Sequence, residues 1–175
     1  MMTVYLSHGL ESGPGALKVQ ALKGIAEQLD DCEPVIMDYR GMAEPQQRFR
    51  HLLATISSRN DSLANCVLAG SSLGGWLSAA VSAQQQVLGC FLLAPALGLA
   101  SHPETSPTIQ AQHTHIIHGW RDDVIPPESV IERARVQRLS LRMVDDDHRL
   151  HDSLDIILHD FERFLIQCST SVTPF

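Results

Sequence analysis

Residues 65–74 read Asn65-Cys66-Val67-Leu68-Ala69-Gly70-Ser71-Ser72-Leu73-Gly74. A continuous apolar run ends in a Gly-x-Ser-x-Gly pentapeptide, and the pattern predicts a strand over 65–70 and a helix over 73–82. A turn that tight has no room for a side chain at 70 or 74. It leaves the Ser72 hydroxyl exposed at the C-terminal edge of a sheet, with a helix N-terminus behind it that favours negative charge. The same five residues could form a Gly-rich turn with a helix-capping serine. The strand before them and the helix after them make a serine nucleophile the better reading.

Outward from this turn, short apolar runs alternate with amphipathic stretches. Strands are predicted over 3–7, 34–38, 65–70, 87–94, 115–118 and 139–144. Several are apolar throughout, as suits strands covered on both faces in a parallel sheet. Leu22, Ile25, Ala26 and Leu29 fall on one helical face, as do Phe49, Leu52, Leu53 and Ile56, and again Leu154, Ile157, Leu158 and Phe161. A further helix follows Pro127, which a first turn tolerates. Such alternation predicts an α/β fold, a three-layer α/β/α sandwich in one domain spanning 1–175. The stretch 96–112 has no clear period and carries Pro103 and Pro107, so it reads as an excursion.

A serine needs a base, and the base needs an orienting acid. His118-Gly119-Trp120-Arg121-Asp122-Asp123-Val124-Ile125-Pro126 begins where a strand ends, so Asp122 or Asp123 lies in a loop at the sheet's C-terminal edge. Asp145-Asp146-Asp147-His148 follows the last strand and places His148 on the same edge. His151, the nearest rival, is expected to begin the last helix and point away. Acyl transfer also needs two N–H donors for the developing oxyanion. One is the N–H of Leu73. The other belongs to the loop after the first strand, where Gly9, Gly13 and Gly15 let the backbone approach.

These segments resemble the α/β-hydrolase superfamily, and its small bacterial esterase-like members in particular. His8-Gly9 resembles the oxyanion-loop His-Gly, Asp38-Tyr39-Arg40-Gly41 an Asp-x-Arg-Gly turn, and 70–74 the nucleophile elbow. His118-Gly119-x-x-Asp122-x-x-Ile125-Pro126 resembles the acid loop and selects Asp122 over Asp123. Asp147-His148 resembles the segment with the triad histidine. The resemblance implies a cofactor-free serine hydrolase of the carboxylesterase or thioesterase kind, with Ser72, Asp122 and His148 catalytic. It makes Leu10 and Leu73 the oxyanion donors. The family's N-terminal hairpin and inserted cap have no counterpart here, which implies a minimal six-stranded parallel sheet of order 2-1-3-4-5-6. With no cap, a shallow cleft walled by loop residues such as Leu10, Met42, Leu97 and Trp120 is expected, with a preference for acyl groups of about two to six carbons.

Composition narrows the choice. The chain has 175 residues, is 44% hydrophobic and 19% charged, and its 13 basic and 20 acidic residues give a net charge of −7. Only Lys18 and Lys23 are lysines, and no basic block offers nucleic acid a surface. The run 87–100, broken by Pro95, is too short to span a bilayer, and no secretory signal is expected. Cys32, Cys66, Cys90 and Cys168 form no Cys-x-x-Cys, so neither a zinc ribbon nor a redox motif is expected, and a cytoplasmic location is the simplest. The expected partner is a small-molecule acyl substrate, with no nucleic acid and no membrane. His113, His115 and His118 with Asp145–Asp147 would suit a metal hydrolase, but no His-Glu-x-x-His occurs and the serine turn would go unexplained. Two readings stand beside the esterase: amide or peptide cleavage by the same residues, and a catalytically silent binding protein on the same fold.

Overall fold

The computed structural model describes residues 1–98 and 107–172. Strands and helices alternate as β1 (Met2–Ser7), α1 (Leu17–Ala26), β2 (Cys32–Ile36), α2 (Pro45–Ser58), β3 (Cys66–Ser71), α3 (Leu73–Gln84), β4 (Val87–Leu93), β5 (Ala111–Gly119), α4 (Pro127–Gln137), β6 (Ser140–Val144) and α5 (Leu154–Ser169). All strand pairs are parallel and the order is β2-β1-β3-β4-β5-β6, as the resemblance implies.

The layers follow from period-two alternation along strands that are apolar on both faces. Val4, Leu6, Val67, Ala69, Phe91, Leu93 and Ile117 face one way and meet Val19 and Leu22 of α1 and Ile157, Phe161 and Leu165 of α5. Tyr5, Leu68, Cys90, Leu92 and Ile116 face the other way and meet Leu52 and Ile56 of α2, Trp76 and Leu77 of α3, and Val130 and Ala134 of α4. Each large apolar side chain so buried contributes about 1.5–3 kcal/mol. Helix α3 is buried from Leu73 to Ser82, which explains its run of Gly, Ala, Ser and Leu. No helix among the described residues is long and apolar enough to cross a membrane.

Two strands differ from the sequence expectation. β2 runs over Cys32–Ile36 rather than 34–38. It is the sheet edge, where Pro34 costs no ladder bond, and its last bond to β1 is from the Met37 N–H to the Leu6 carbonyl at 3.0 Å. Beyond it the Tyr39 N–H donates to His8 Nε2 at 3.1 Å rather than to the neighbouring strand. β5 starts at Ala111 rather than 115. Its first residues pair with β4 alone, Val87 opposite Ala111 and Gly89 opposite His113, because β6 joins only at His115 opposite Ser140. With a single neighbour, this half of the strand keeps the polar residues that hide it in the sequence. The excursion expected over 96–112 therefore ends before Ala111, and its residues 99–106 lie outside the described residues.

The parallel arrangement delivers the loops after β1, β3, β5 and β6 to one edge of the sheet, where α/β folds bind ligands. Close backbone contacts hold that edge together. A Cβ on Gly70 would lie 2.1 Å from the Gly74 carbonyl oxygen, and one on Gly74 would lie 2.1 Å from the Ser7 oxygen. Nothing lies within 4 Å of a Cβ placed on Gly13. Gly74→Ala should therefore cost more than about 3 kcal/mol in urea unfolding, or prevent folding, while Gly13→Ala should stay within about 0.5 kcal/mol of wild type. A Gly74→Ala protein as stable as wild type would show that β1 and the turn after β3 are not in this contact.

Candidate active site

Ser72 occupies the turn between β3 and α3 with φ 55° and ψ −116°, a conformation that L-residues adopt only under constraint. The constraint is visible. Its N–H donates to the Leu93 carbonyl at 2.9 Å, and its own carbonyl accepts from Ala96 at 3.0 Å. The hydroxyl lies 3.0 Å from His148 Nε2, and His148 Nδ1 lies 2.8 Å from Asp122 Oδ2. A carboxylate only accepts, so Nδ1 carries the proton and Nε2 presents a lone pair to the serine. The three residues selected in the sequence thus form one relay.

The Asp122 side chain is fully inaccessible to solvent. Its Oδ1 accepts the N–H groups of Val124 at 2.9 Å and Ile125 at 2.8 Å, while Oδ2 takes His148. The carboxylate therefore both caps its own loop and orients the histidine. Asp123 is exposed. The acid loop is joined to the histidine loop by backbone: Trp120 N–H donates to Val144 at 2.8 Å, and Arg121 N–H to Asp146 at 3.0 Å. A Cβ on Gly119 would sit 2.3 Å from the Asp146 oxygen, so glycine is what lets the two loops touch.

Two further histidines brace the site without joining the relay. His118 is fully buried, and its Nε2–H donates to the Ile125 carbonyl at 3.0 Å and lies 3.3 Å from Asp122 Oδ2. His8 is also buried. Its Nδ1–H donates to the Gly9 carbonyl at 2.8 Å and its Nε2 accepts from Tyr39. Burial pushes both imidazoles below their ordinary value and keeps them neutral.

The loop after β1 is held by a residue that the sequence reading missed. Arg48, 3% exposed, sends Nε to the Met42 carbonyl at 2.7 Å, Nη1 to Gly9 at 3.0 Å and Nη2 to Leu10 at 3.3 Å. Its guanidinium carbon lies 5.3 Å from the Tyr39 ring centre. The signal was present: Arg48 shares the inward stripe of α2 with Leu52 and Ile56, where a charge needs partners. Gly9 meanwhile runs close to the nucleophile, since a Cβ there would lie 3.5 Å from Ser72 Cβ.

A cavity of about 830 Å³ opens over Ser72 and His148. Its apolar wall comes from Leu10, Ala16, Leu17, Leu73 and Val124, much of it from the start of α1. Met42, Leu97 and Trp120, expected as walls, do not line it. Leu97 is buried in the core, Met42 packs against that core, and Trp120 is 58% exposed outside the cavity. Among the described residues, α1 and the loops after β1 and β5 supply the wall. His151 also corrects an expectation: α5 begins at Leu154, and His151 lines the cavity.

Ser72 is not unique in having a nearby histidine. His115 Nδ1 lies 3.0 Å from Ser140 Oγ, with its Nε2 3.0 Å from Asp160, and His113 Nε2 lies 3.0 Å from Ser171 Oγ. Both pairs lie away from this cavity, and neither serine sits in a constrained turn with positive φ. The same partners, with Ile125 on His118, disperse the histidines that a metal reading would gather. No group of three or more His, Cys, Asp or Glu among the described residues is arranged to hold a metal ion.

Sheet order, elbow and relay together define the α/β-hydrolase class. The chain belongs to the uncharacterised protein family UPF0227, whose model matches residues 2–121. It is similar over 95% of its length to a Xanthomonas campestris pv. campestris protein assigned to the alpha/beta hydrolase superfamily, at 31% identity and TM-score 0.84, covering 99% of that protein. Est1E from Butyrivibrio proteoclasticus shares the fold at 17% identity and TM-score 0.77, over 97% of this chain and 88% of that one. So does an alpha-beta serine hydrolase homologue from Coxiella burnetii, at 20% identity and TM-score 0.74, over 93% and 84%. No curated protein matches the sequence.

Neutral His8 and His118 give stability a pH dependence of definite sign. Both imidazoles titrate lower in the folded chain than the ordinary value near 6.5. Below about pH 6.5 the unfolded chain binds protons that the folded one refuses, so this contribution is intact above 6.5 and is lost as pH falls toward the folded values. Urea midpoints should fall from pH 7.5 to 5.5. Equal or higher stability at pH 5.5 would show that these rings are not held neutral.

Proposed function

We propose that this protein is a serine hydrolase that cleaves a carboxylic ester or thioester of a small soluble substrate through an acyl-enzyme on Ser72. The carrying observation is the Ser72–His148–Asp122 relay, 3.0 and 2.8 Å, whose serine and histidine line the cavity. His148 Nε2 takes the Ser72 proton as Oγ attacks the carbonyl, and Asp122 stabilises the imidazolium so formed. His148 then returns the proton to the leaving group and activates the water that frees the acyl group. Four unpaired cysteines, three of them buried, suit a reducing cytoplasm.

Leu73 is the first residue of α3, so its N–H has no partner inside the helix and is free to serve the oxyanion. Leu10 supplies the second donor through the peptide it shares with Gly9. In a trans peptide the C=O and N–H point opposite ways. Arg48 and His8 both hold the Gly9 oxygen from behind, which turns the Leu10 N–H away from them. Arg48 is thus a positioning residue. Arg48→Met should lower kcat on the order of 10² with a smaller change in KM, as loss of one oxyanion donor does, and Arg48→Lys should not restore it, because one ammonium cannot span three carbonyls. A variant that changes KM alone would contradict this role.

The test of the nucleophile is labelling by a fluorophosphonate probe, read by peptide mass spectrometry. Ser72 should be labelled, and Ser140 and Ser171 should not, since only Ser72 combines a base with two oxyanion donors. Labelling of either of those two, or turnover that survives Ser72→Ala, would overturn the assignment. Asp122→Asn should cost about 10⁴ in kcat and Asp123→Asn little. An equal loss in both would remove the distinction drawn from the Asp122 hydrogen bonds.

A further inference from the structure

The cavity over Ser72 is charged unevenly. Lys18, one of only two lysines, lies in the first turn of α1 and lines the wall, half-buried. Its ammonium donates to the backbone carbonyl of Arg149, and among the described residues no carboxylate bonds it. The second lysine is paired, Lys23 with Glu27 at 2.7 Å. Arg149 also lines the cavity, and its guanidinium forms no ion pair among the described residues.

The two carboxylates that attract the Lys18 ammonium are bonded to backbone N–H groups rather than to either cation. Asp146 accepts the N–H groups of Asp147 and Ser153, and Asp147 accepts the Arg149 N–H. Glu11, exposed, is the single acidic side chain among the described lining residues. Burial pushes the Lys18 ammonium below its ordinary value and Arg149 pushes the same way, against attraction from Asp146 and Asp147. An anion placed beside Lys18 and Arg149 would answer both effects. The approach to that point is apolar: Leu10, Leu17 and Val124 are 52%, 54% and 56% exposed, and all three line the same cavity.

We infer that the natural substrate is an amphiphilic ester or thioester that carries a carboxylate or phosphate away from its reacting carbonyl. Lys18 and Arg149 hold this group while the apolar portion lies on Leu10, Leu17 and Val124. This inference rests on the hydrolase reading of Ser72 and adds the substrate class to it. A reacting carbonyl at Ser72 and a charged end at Lys18 would fix the substrate at two points, which sets its orientation as well as its affinity.

Paired substrates test it. In the acyl arm, mono-4-nitrophenyl glutarate and adipate are compared with their methyl esters. In the leaving-group arm, 4-butyryloxybenzoate and 4-butyryloxyphenyl phosphate are compared with the methyl benzoate analogue. One arm should favour the anion by about tenfold in kcat/KM at low salt, and the preference should shrink as ionic strength rises. Lys18→Met with Arg149→Gln should bring the anionic-to-neutral ratio toward one, and Lys18→Arg should retain it. The salt dependence needs no variant, so a double variant that fails to fold leaves the test intact. Neutral esters turned over through Ser72 with no anionic preference in either arm would overturn the inference and leave the hydrolase reading standing. So would a preference that survives in the folded double variant. Failure of every ester, together with failure of the probe to label Ser72, would instead remove the hydrolase reading and this inference with it.

Discussion

The carboxylate of Asp122, wholly out of contact with water, receives N–H groups from Val124, Ile125 and His148 and lies 3.3 Å from a fourth donor on His118. A buried charge is tolerated only when it is so surrounded. The same bonds decide the site. They fold the loop after β5 into one shape, they set which nitrogen of His148 is bare, and they hold that nitrogen within reach of Ser72. If one donor were removed, the cost would fall first on His148, because its side chain reaches Asp122 across 26 residues of sequence while the backbone donors are local.

The rest of the molecule prepares this contact. Parallel strands bring four loops to one edge, and glycines at 70, 74 and 119 let the backbones there touch where any side chain would collide. The turn at Ser72 is held by Leu93 and Ala96 on either side, and the loop after β1 is held by a buried arginine. The result is a nucleophile, a base and candidate oxyanion donors on rigid supports, with the start of α1 forming much of the described wall beside them.

Much of this was legible in the sequence, and for physical reasons. Strands covered on both faces must be apolar throughout, so β3 and β4 stand out as unbroken runs. The elbow was legible because its glycines are required by contacts rather than by flexibility. Asp122 and His148 could be placed because each follows a strand and so reaches the same edge. Of the walls, only Leu10 was legible. Met42, Leu97 and Trp120 sit in loops near the site, but loop position does not say where a side chain points, and Leu97 turns into the core. The start of α1 approaches the cavity only through packing that no local pattern encodes. Arg48 was hidden for a different reason. Its neighbours Phe49, Leu52 and Leu53 complete a helical stripe on their own, so the pattern needs no residue at 48. The pairing of Ser140 and Ser171 with histidines arises across strands and a helix end, and spacing alone could not exclude them.

Chemistry at Ser72 should pass through a covalent acyl-enzyme. Acid quenching of the protein during turnover of 4-nitrophenyl acetate, followed by peptide mass spectrometry, reads this directly. An acetyl group on the peptide containing Ser72, absent after Ser72→Ala, is the predicted result. Turnover with no adduct on that peptide, or an adduct on Ser140 or Ser171 instead, would mean that Ser72 is not the nucleophile.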